Sequence, residues 1–198
     1  MTRVYDENGH SVPVTVIEAG PCRVLQIKSQ VKEGYDAVQL GFSERKLTRV
    51  SKAEAGHCKH AGLETGFYQI KEFAPKSDLP LEVGQLLTVG ALFKIGDNVT
   101  ITGKSKGRGF QGVVRRHGFK GGRATHGSNF HRAPGSIGSS AWPSRVLKGQ
   151  RLPGRMGNAS VTQKNLRIVD IREDKILLVR GAVPGAKNTF VSIYAMSV

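Results

Sequence analysis

Val12, Val14 and Val16 alternate with Pro13 and Thr15, so the first patterned run of the chain has a period of two and predicts a strand with one buried face. Glu7-Asn8-Gly9 precedes this run and Ala19-Gly20-Pro21 follows it, both of them turn sequences. Arg23 to Lys28 resumes the strand pattern through Val24, Leu25 and Ile27. Further short strands are expected over Ala37 to Phe42, Phe67 to Phe73, Leu86 to Val89, Val99 to Thr102, Leu166 to Ile171, Lys175 to Arg180 and Phe190 to Tyr194. Short strands at irregular spacing predict a mainly β fold closed into a barrel, not an alternating βαβ array. One helix interrupts them, Lys52 to Ala61. Ser51 opens it with Glu54 three residues later, a capping-box spacing that satisfies two orphan N–H groups, and Gly62 stops it.

Between about Arg115 and Arg155 both periods vanish. RRHGFKGGRATHGSNFHRAPGSIGSSAWPSRVLKGQRLPGR reads as neither helix nor strand, which is too long for a structureless loop in a compact domain. Such a segment is either disordered alone or folds against an external surface that supplies the burial its own residues lack. Strand patterning returns at Leu166, so the segment is an insertion whose two ends rejoin one body.

Charge sharpens this division. The chain of 198 residues carries 30 Lys+Arg and 15 Asp+Glu. Residues 1–97 hold 12 of each sign, whereas residues 98–169 hold 14 cations, no acid and 13 of the 25 glycines. The result is a neutral body with a cationic middle. Unopposed cations at this density repel one another and call for a polyanion; nucleic acid answers by releasing condensed counterions. Phe110, Phe119, Phe130 and Trp142 are interleaved with them and offer faces on which bases can stack. An anionic membrane would favour an amphipathic helix, which the glycines and prolines oppose. No helix-turn-helix, zinc finger or basic zipper is legible, and irregular backbone suits the crevices of folded RNA better than a regular duplex groove. No run of about 18 apolar residues exists, so no helical membrane span is expected. MTRVYDENGH lacks the apolar core of a secretory signal, and two cysteines make no disulfide framework, so a reducing compartment is the expectation.

Other chemistry is weakly signalled. Gly107 to Gly112, GRGFQG, matches G-x-G-x-x-G, but a dinucleotide site also needs a helix opening there and an acid about 20 residues on; neither is expected. His57, Cys58 and His60 lie close together, with Cys22 and His10 the available additions for a zinc site; partly exposed helix residues are the simpler reading, and no metal or other cofactor is expected. His117, His126 and His131 have no acid nearby to orient a catalytic imidazole, so no catalytic residue is assigned; an RNA-modifying enzyme using His126 or His131 is the rival of another class.

MTRVYDENGHSVPVTVIEAGPCRV, TGKSKGRGFQGVVRRHGFKGG, ATHGSNFHRAPGSIG, GRMGNASVTQKNLRIV and LLVRGAVPGAKN are five collinear blocks covering nearly the whole chain. In this order they resemble the signature blocks of the bacterial-type large-subunit ribosomal protein L-three family. The resemblance implies a six-stranded barrel of the translation-protein type, with a short inserted helix at about 51–62 and a long irregular basic extension. It divides the chain into a body, 1–112 and 156–198, and an RNA-threading extension, 113–155. It also implies a non-enzymatic constituent of the large ribosomal subunit that binds ribosomal RNA near its 3′ end, nucleates assembly and reaches toward the peptidyl transferase centre. Large-subunit ribosomal RNA and neighbouring ribosomal proteins fourteen and nineteen are the implied partners, with no membrane and no small-molecule substrate. The expected location is the cytoplasmic ribosome, an organellar ribosome of bacterial ancestry being hard to separate from it. The alternative is a general architectural nucleic-acid binder.

Carried onto this chain, the GKSKGRGFQG block puts Lys104, Lys106 and Arg108 where the extension departs, and the third block places His126, His131 and Arg132 within it. Arg115, Arg116, Lys120, Arg123, Arg145, Lys148, Arg151 and Arg155 are the further expected phosphate contacts; arginines predominate, as bidentate phosphate recognition favours. Trp142, near the tip, is either an aromatic plug against RNA or packs on its own loop. The resemblance implies a first strand ending at the Met-Thr that begins this chain, so either the start is short or the barrel is closed differently at its N-terminal edge.

Overall fold

The computed structural model describes residues 1–75 and 81–195. Twelve strands are present among these residues: β1 Thr2–Tyr5, β2 Ser11–Glu18, β3 Cys22–Lys28, β4 Ala37–Lys46, β5 Thr65–Phe73, β6 Leu86–Leu87, β7 Asn98–Lys104, β8 Phe110–Gln111, β9 Gly154–Arg155, β10 Ser160–Arg172, β11 Ile176–Arg180 and β12 Val191–Ala195. The helices are short: α1 Gln30–Glu33, α2 Lys52–His60, α3 Val89–Leu92 and α4 Val113–His117. The fold is mainly β, as the period-two runs imply. The strands form a six-stranded sheet in the order β1-β2-β11-β10-β7-β12, a four-stranded sheet in the order β5-β4-β3-β6, and the pair β8-β9. The six-stranded order is open, and no closure into a barrel is seen among the described residues.

The chain divides into two compact units. The first comprises residues 1–101, 163–183 and 192–198; the second comprises 102–162 and 184–191. Within the first, consecutive residues of β3 face opposite ways, as strand geometry requires. Leu25 packs with Cys58, Ala61 and Phe67, so α2 covers one face of the small sheet. Val24 packs with Val38 and Leu87 on the other face. Leu25 is also where the β3–β4 register shifts, since Val24 opposes Leu40 and Gln26 opposes Gln39.

In the six-stranded sheet Val14, Val99, Ile101, Ile168, Leu177 and Val179 are essentially inaccessible. On β11, Leu177, Leu178 and Val179 are all buried in succession, so this strand is covered on both faces. Three details depart from the sequence pattern. Val16 is 50% exposed rather than buried, because its shallow surroundings of Val4, Ile176 and Leu178 lie beside the edge strand β1. Cys58 is fully buried, not partly exposed, because it lies on the α2 face turned to Leu25 and Phe67. Thr2–Tyr5, which has no strand period of its own to announce it, is a strand paired with β2 in the register Thr2 to Val14 and Tyr5 to Ser11.

The expected helix forms with its capping box complete. The Ser51 hydroxyl accepts from Glu54 N at 3.3 Å, and Glu54 Oε2 accepts from Ser51 N at 3.3 Å. Arg45 Nη2 reaches the same Glu54 oxygen at 3.3 Å and tethers α2 to β4.

Candidate nucleic-acid interface

The second unit is built with almost no apolar core. Val113 is its single buried hydrophobic residue. It holds 13 Lys/Arg and no Asp or Glu. Every ion pair among the described residues lies in the first unit: His10 with Asp6, Arg23 with Glu44, Lys28 with Glu72, Arg45 with Glu54 and Arg172 with Asp170. The cations of the second unit therefore have no internal counter-charge.

Backbone hydrogen bonds supply what order the unit has. Two arms, 104–111 and 154–160, run antiparallel as a stem. Ser105 N donates to Ala159 O at 2.9 Å, Asn158 N to Ser105 O at 3.1 Å, and Arg108 N to Met156 O at 2.9 Å. Met156 N donates to Gly109 O at 2.9 Å, after which Phe110 pairs with Arg155 and Gln111 with Gly154. Gly157 has φ +75°, and a Cβ there would stand 2.1 Å from Lys106 O, so only glycine lets the arms approach this closely.

Beyond the stem, Gly112 leads into α4, and Arg116 turns back across its base. Arg116 Nη1 donates to Leu152 O at 2.6 Å, and a ring nitrogen of His117 lies 3.1 Å from the same oxygen. A helix does open after GRGFQG, contrary to the expectation, because Val113 is buried and Arg116 is anchored. It has only five residues, and no acid follows for a ribose. A second pinch brings residues 121–122 against 130–131. Gly122 N donates to His131 O at 3.3 Å, His131 Nδ1 lies 3.1 Å from Arg123 O, and a Cβ on Gly121 would meet His131 O at 2.3 Å. The tip folds through short local turns, such as the Ser136 hydroxyl donating to Gly138 O at 3.0 Å.

Lys104, Lys106 and Arg108 are exposed along the first arm, and Arg155 is exposed opposite them. Lys120, Arg123, His126, His131, Arg132, Arg145, Lys148 and Arg151 are exposed farther out. Arg115 is exposed with Nη1 3.3 Å from Gln111 Oε1. Arg116 differs from the rest: it is half-buried and bound to its own chain. Trp142 is 85% exposed, so it does not pack on its own loop. His126 and His131 have no carboxylate in their unit. Sequence pattern alone does not point to Lys187, which lies far along the chain; residues 184–191 join this unit, and Pro184 O would be 2.8 Å from a Cβ on Gly103.

No group of three or more His, Cys, Asp or Glu able to hold a metal ion occurs among the described residues. His57 is hydrogen-bonded to Gln39, and burial raises the pKa of the Cys58 and Cys22 thiols above the ordinary cysteine value. No helix among the described residues is long and apolar enough to cross a membrane.

With this geometry in view, likeness to known proteins is decisive. The family model described as ribosomal protein L3 matches residues 72–176, which take in the whole stem and extension. The chain belongs to the ribosomal protein L3 family. A large ribosomal subunit protein uL3 of Desulfotalea psychrophila is 55% identical over 196 residues, covering 98% of this chain and 93% of the relative. The uL3 proteins of Lawsonia intracellularis and Geobacter sulfurreducens are 51% and 48% identical, each over 98% of this chain and 92% and 91% of their own lengths. The likeness thus spans both units of this L3-family chain.

Proposed function

We propose that this chain serves the large ribosomal subunit as an RNA-bound scaffold whose second unit threads between RNA helices and neutralises their phosphates. At the coarser level its role follows from its family: it is a structural constituent of the large subunit, not an enzyme, with large-subunit ribosomal RNA and ribosomal proteins as partners. Its relatives are bacterial, and the ribosome concerned is the cytoplasmic one.

One observation carries the finer reading. The second unit has 13 cations, no acid and one buried apolar residue, so its own interactions neither offset its charge nor give it a core. An external polyanion does both, by counterion release and by burying exposed aromatic and aliphatic groups. In this reading residues 113–155 are the extension, and 1–112 with 156–198 the body. Lys104, Lys106, Arg108, Arg115, Lys120, Arg123, Arg132, Arg145, Lys148, Arg151 and Arg155 contact phosphates, and His126, His131 and Trp142 contact bases or riboses. Arg116 contributes by fixing the base of the extension to Leu152, with its remaining donors turned to RNA. The body docks near the 3′ end of the RNA beside ribosomal proteins fourteen and nineteen, early in assembly, and the tip points to the peptidyl transferase centre.

The test is a salt titration of binding to the 3′ region of large-subunit ribosomal RNA and to duplex DNA of equal charge. The chain is compared with a variant in which Arg123, Arg132, Arg145 and Arg151 are all Gln. The RNA curve should stay above the DNA curve at high salt, and the variant should lose about 3 units of log–log salt slope, roughly 0.7–0.9 for each phosphate contact. Coincident RNA and DNA curves would instead make the chain a general architectural binder.

A further inference from the structure

The stem has one packed face and one bare face. In the β8-β9 pair Phe110 opposes Arg155 and Gln111 opposes Gly154, so the strand alternation places Phe110 and Arg155 together on one side. The other side is occupied. The Arg116 guanidinium lies where a Cβ on Gly154 would stand, 2.7 Å away, and is tied to Leu152 O. Gln111 is half-buried there, hydrogen-bonded to Arg108 O and Arg115. On the open side Phe110 is 75% exposed and takes part in no ring contact among the described residues; Arg155 is exposed and makes no ion pair. Leaving a phenyl ring in water forgoes the gain of burying it, and no local packing accounts for it.

The geometry points to the Phe110–Arg155 pair as a stacking seat for one unpaired RNA base, with Phe110 beneath the base and Arg155 on the phosphate beside it. This rests on the RNA-binding reading above and deepens it. Three features select a base over an apolar protein surface. The seat is a single ring and not a patch, as Gly112 and Gly157, two residues along from Phe110 and Arg155, carry no side chains. All charge in its unit is positive, which complements a polyanion. Its backbone is also fixed: the arms are joined by the bonds between Arg108, Gly109 and Met156, so the positions from which Phe110 and Arg155 project are set before any ligand arrives. Trp142, by contrast, projects from a loop held by local turns.

The two residues should separate in one experiment. The full chain is titrated with single-stranded oligoadenylate carrying one 2-aminopurine and with an A-form RNA duplex of equal length, across a range of salt. Phe110→Ala should weaken oligoadenylate binding about ten-fold, leave the salt slope unchanged and abolish the quenching of 2-aminopurine. Phe110→Tyr should restore both affinity and quenching, whereas Phe110→Leu, apolar but without a ring face, should not. Arg155→Ala should lower the slope by about 1 and retain quenching. All four variants should melt with the parent, since both side chains are exposed. A Phe110→Leu protein equal to the parent, or a Phe110→Ala loss equal on single strand and duplex, overturns the stacking seat while leaving RNA binding intact. If the parent binds RNA no better than duplex DNA at matched salt, the underlying reading fails as well.

Discussion

Glu72 is the best-connected carboxylate among the described residues of the first unit. Lys28 Nζ lies 2.7 Å from its Oε1 and 2.8 Å from the Tyr35 hydroxyl, which in turn donates to Glu72 Oε2 at 3.0 Å. The Lys28 hydrogen bond, then that of Tyr35, hold the Glu72 carboxyl below its ordinary value. The same carboxylate holds the Lys28 ammonium well above its own. Because the folded pKa of Glu72 lies below the unfolded value of about 4.3, its contribution is whole above that value and is lost as pH falls through the folded one. For Lys28 the contribution is whole below about 10.4 and is lost as pH rises through its elevated value. Glu72→Gln should therefore flatten the acid limb of a stability–pH profile measured by urea unfolding from pH 2.5 to 7; a limb parallel to the parent's would show the pair to be inert. Ser51→Ala tests the other local device. Loss of the hydroxyl that accepts from Glu54 N should cost about 1 kcal/mol, read as a shift in the urea midpoint at constant slope.

Individual elements are unequal in what they can lose. Leu177 on β11 is fully buried between β2 and β10, and Leu177→Ala should cost about 2–5 kcal/mol in the same unfolding measurement. α4 is the opposite case, because apart from Val113 its attachment is polar. Arg116→Ala should leave the Leu152 carbonyl to His117 alone and raise amide exchange across 113–117 and 150–155, with little effect on unfolding of the first unit. Arg115→Ala should lower the salt slope of RNA binding and leave exchange in those segments unchanged. Such elements were legible in the sequence to different degrees. Val12 to Val16 and the Ser51–Glu54 box announce themselves by period or spacing, and β11 by an unbroken apolar run, since it is buried on both faces. The stem does not. Its two-residue strands are too short to show alternation, and their partners lie more than 40 residues apart, so only Gly157 hints that two backbones must meet. Charge marks the basic residues proposed for the interface, but it does not separate Arg116, which is bound to its own chain, from Arg115, which faces solvent.

For the whole molecule, the contrast between the two units sets the expected response to ligands. Amide exchange should be slow in β2, β3, β4 and β11 of the free protein and faster across 118–150, where local turns carry the order. Adding the ribosomal RNA fragment should raise protection mainly in the second unit, and trypsin should lose its access to Arg123, Arg132 and Arg145. Uniform protection before RNA is added would contradict the dependence on a polyanion. Strand order adds a consequence in time. The small sheet β5-β4-β3-β6 is complete once Leu87 has been made, but β7 has β10 and β12 as neighbours, and both are encoded after the basic segment. At about 5–20 residues per second, synthesis from Lys104 to Ser160 occupies roughly 3–11 s. Throughout that interval the growing chain carries a finished small sheet, an unpartnered β7 and a lengthening run of free cations. The segment proposed to bind RNA is therefore made before β10 and β12 exist to pair with β7, and its first encounter with a polyanion can precede the completion of the six-stranded sheet.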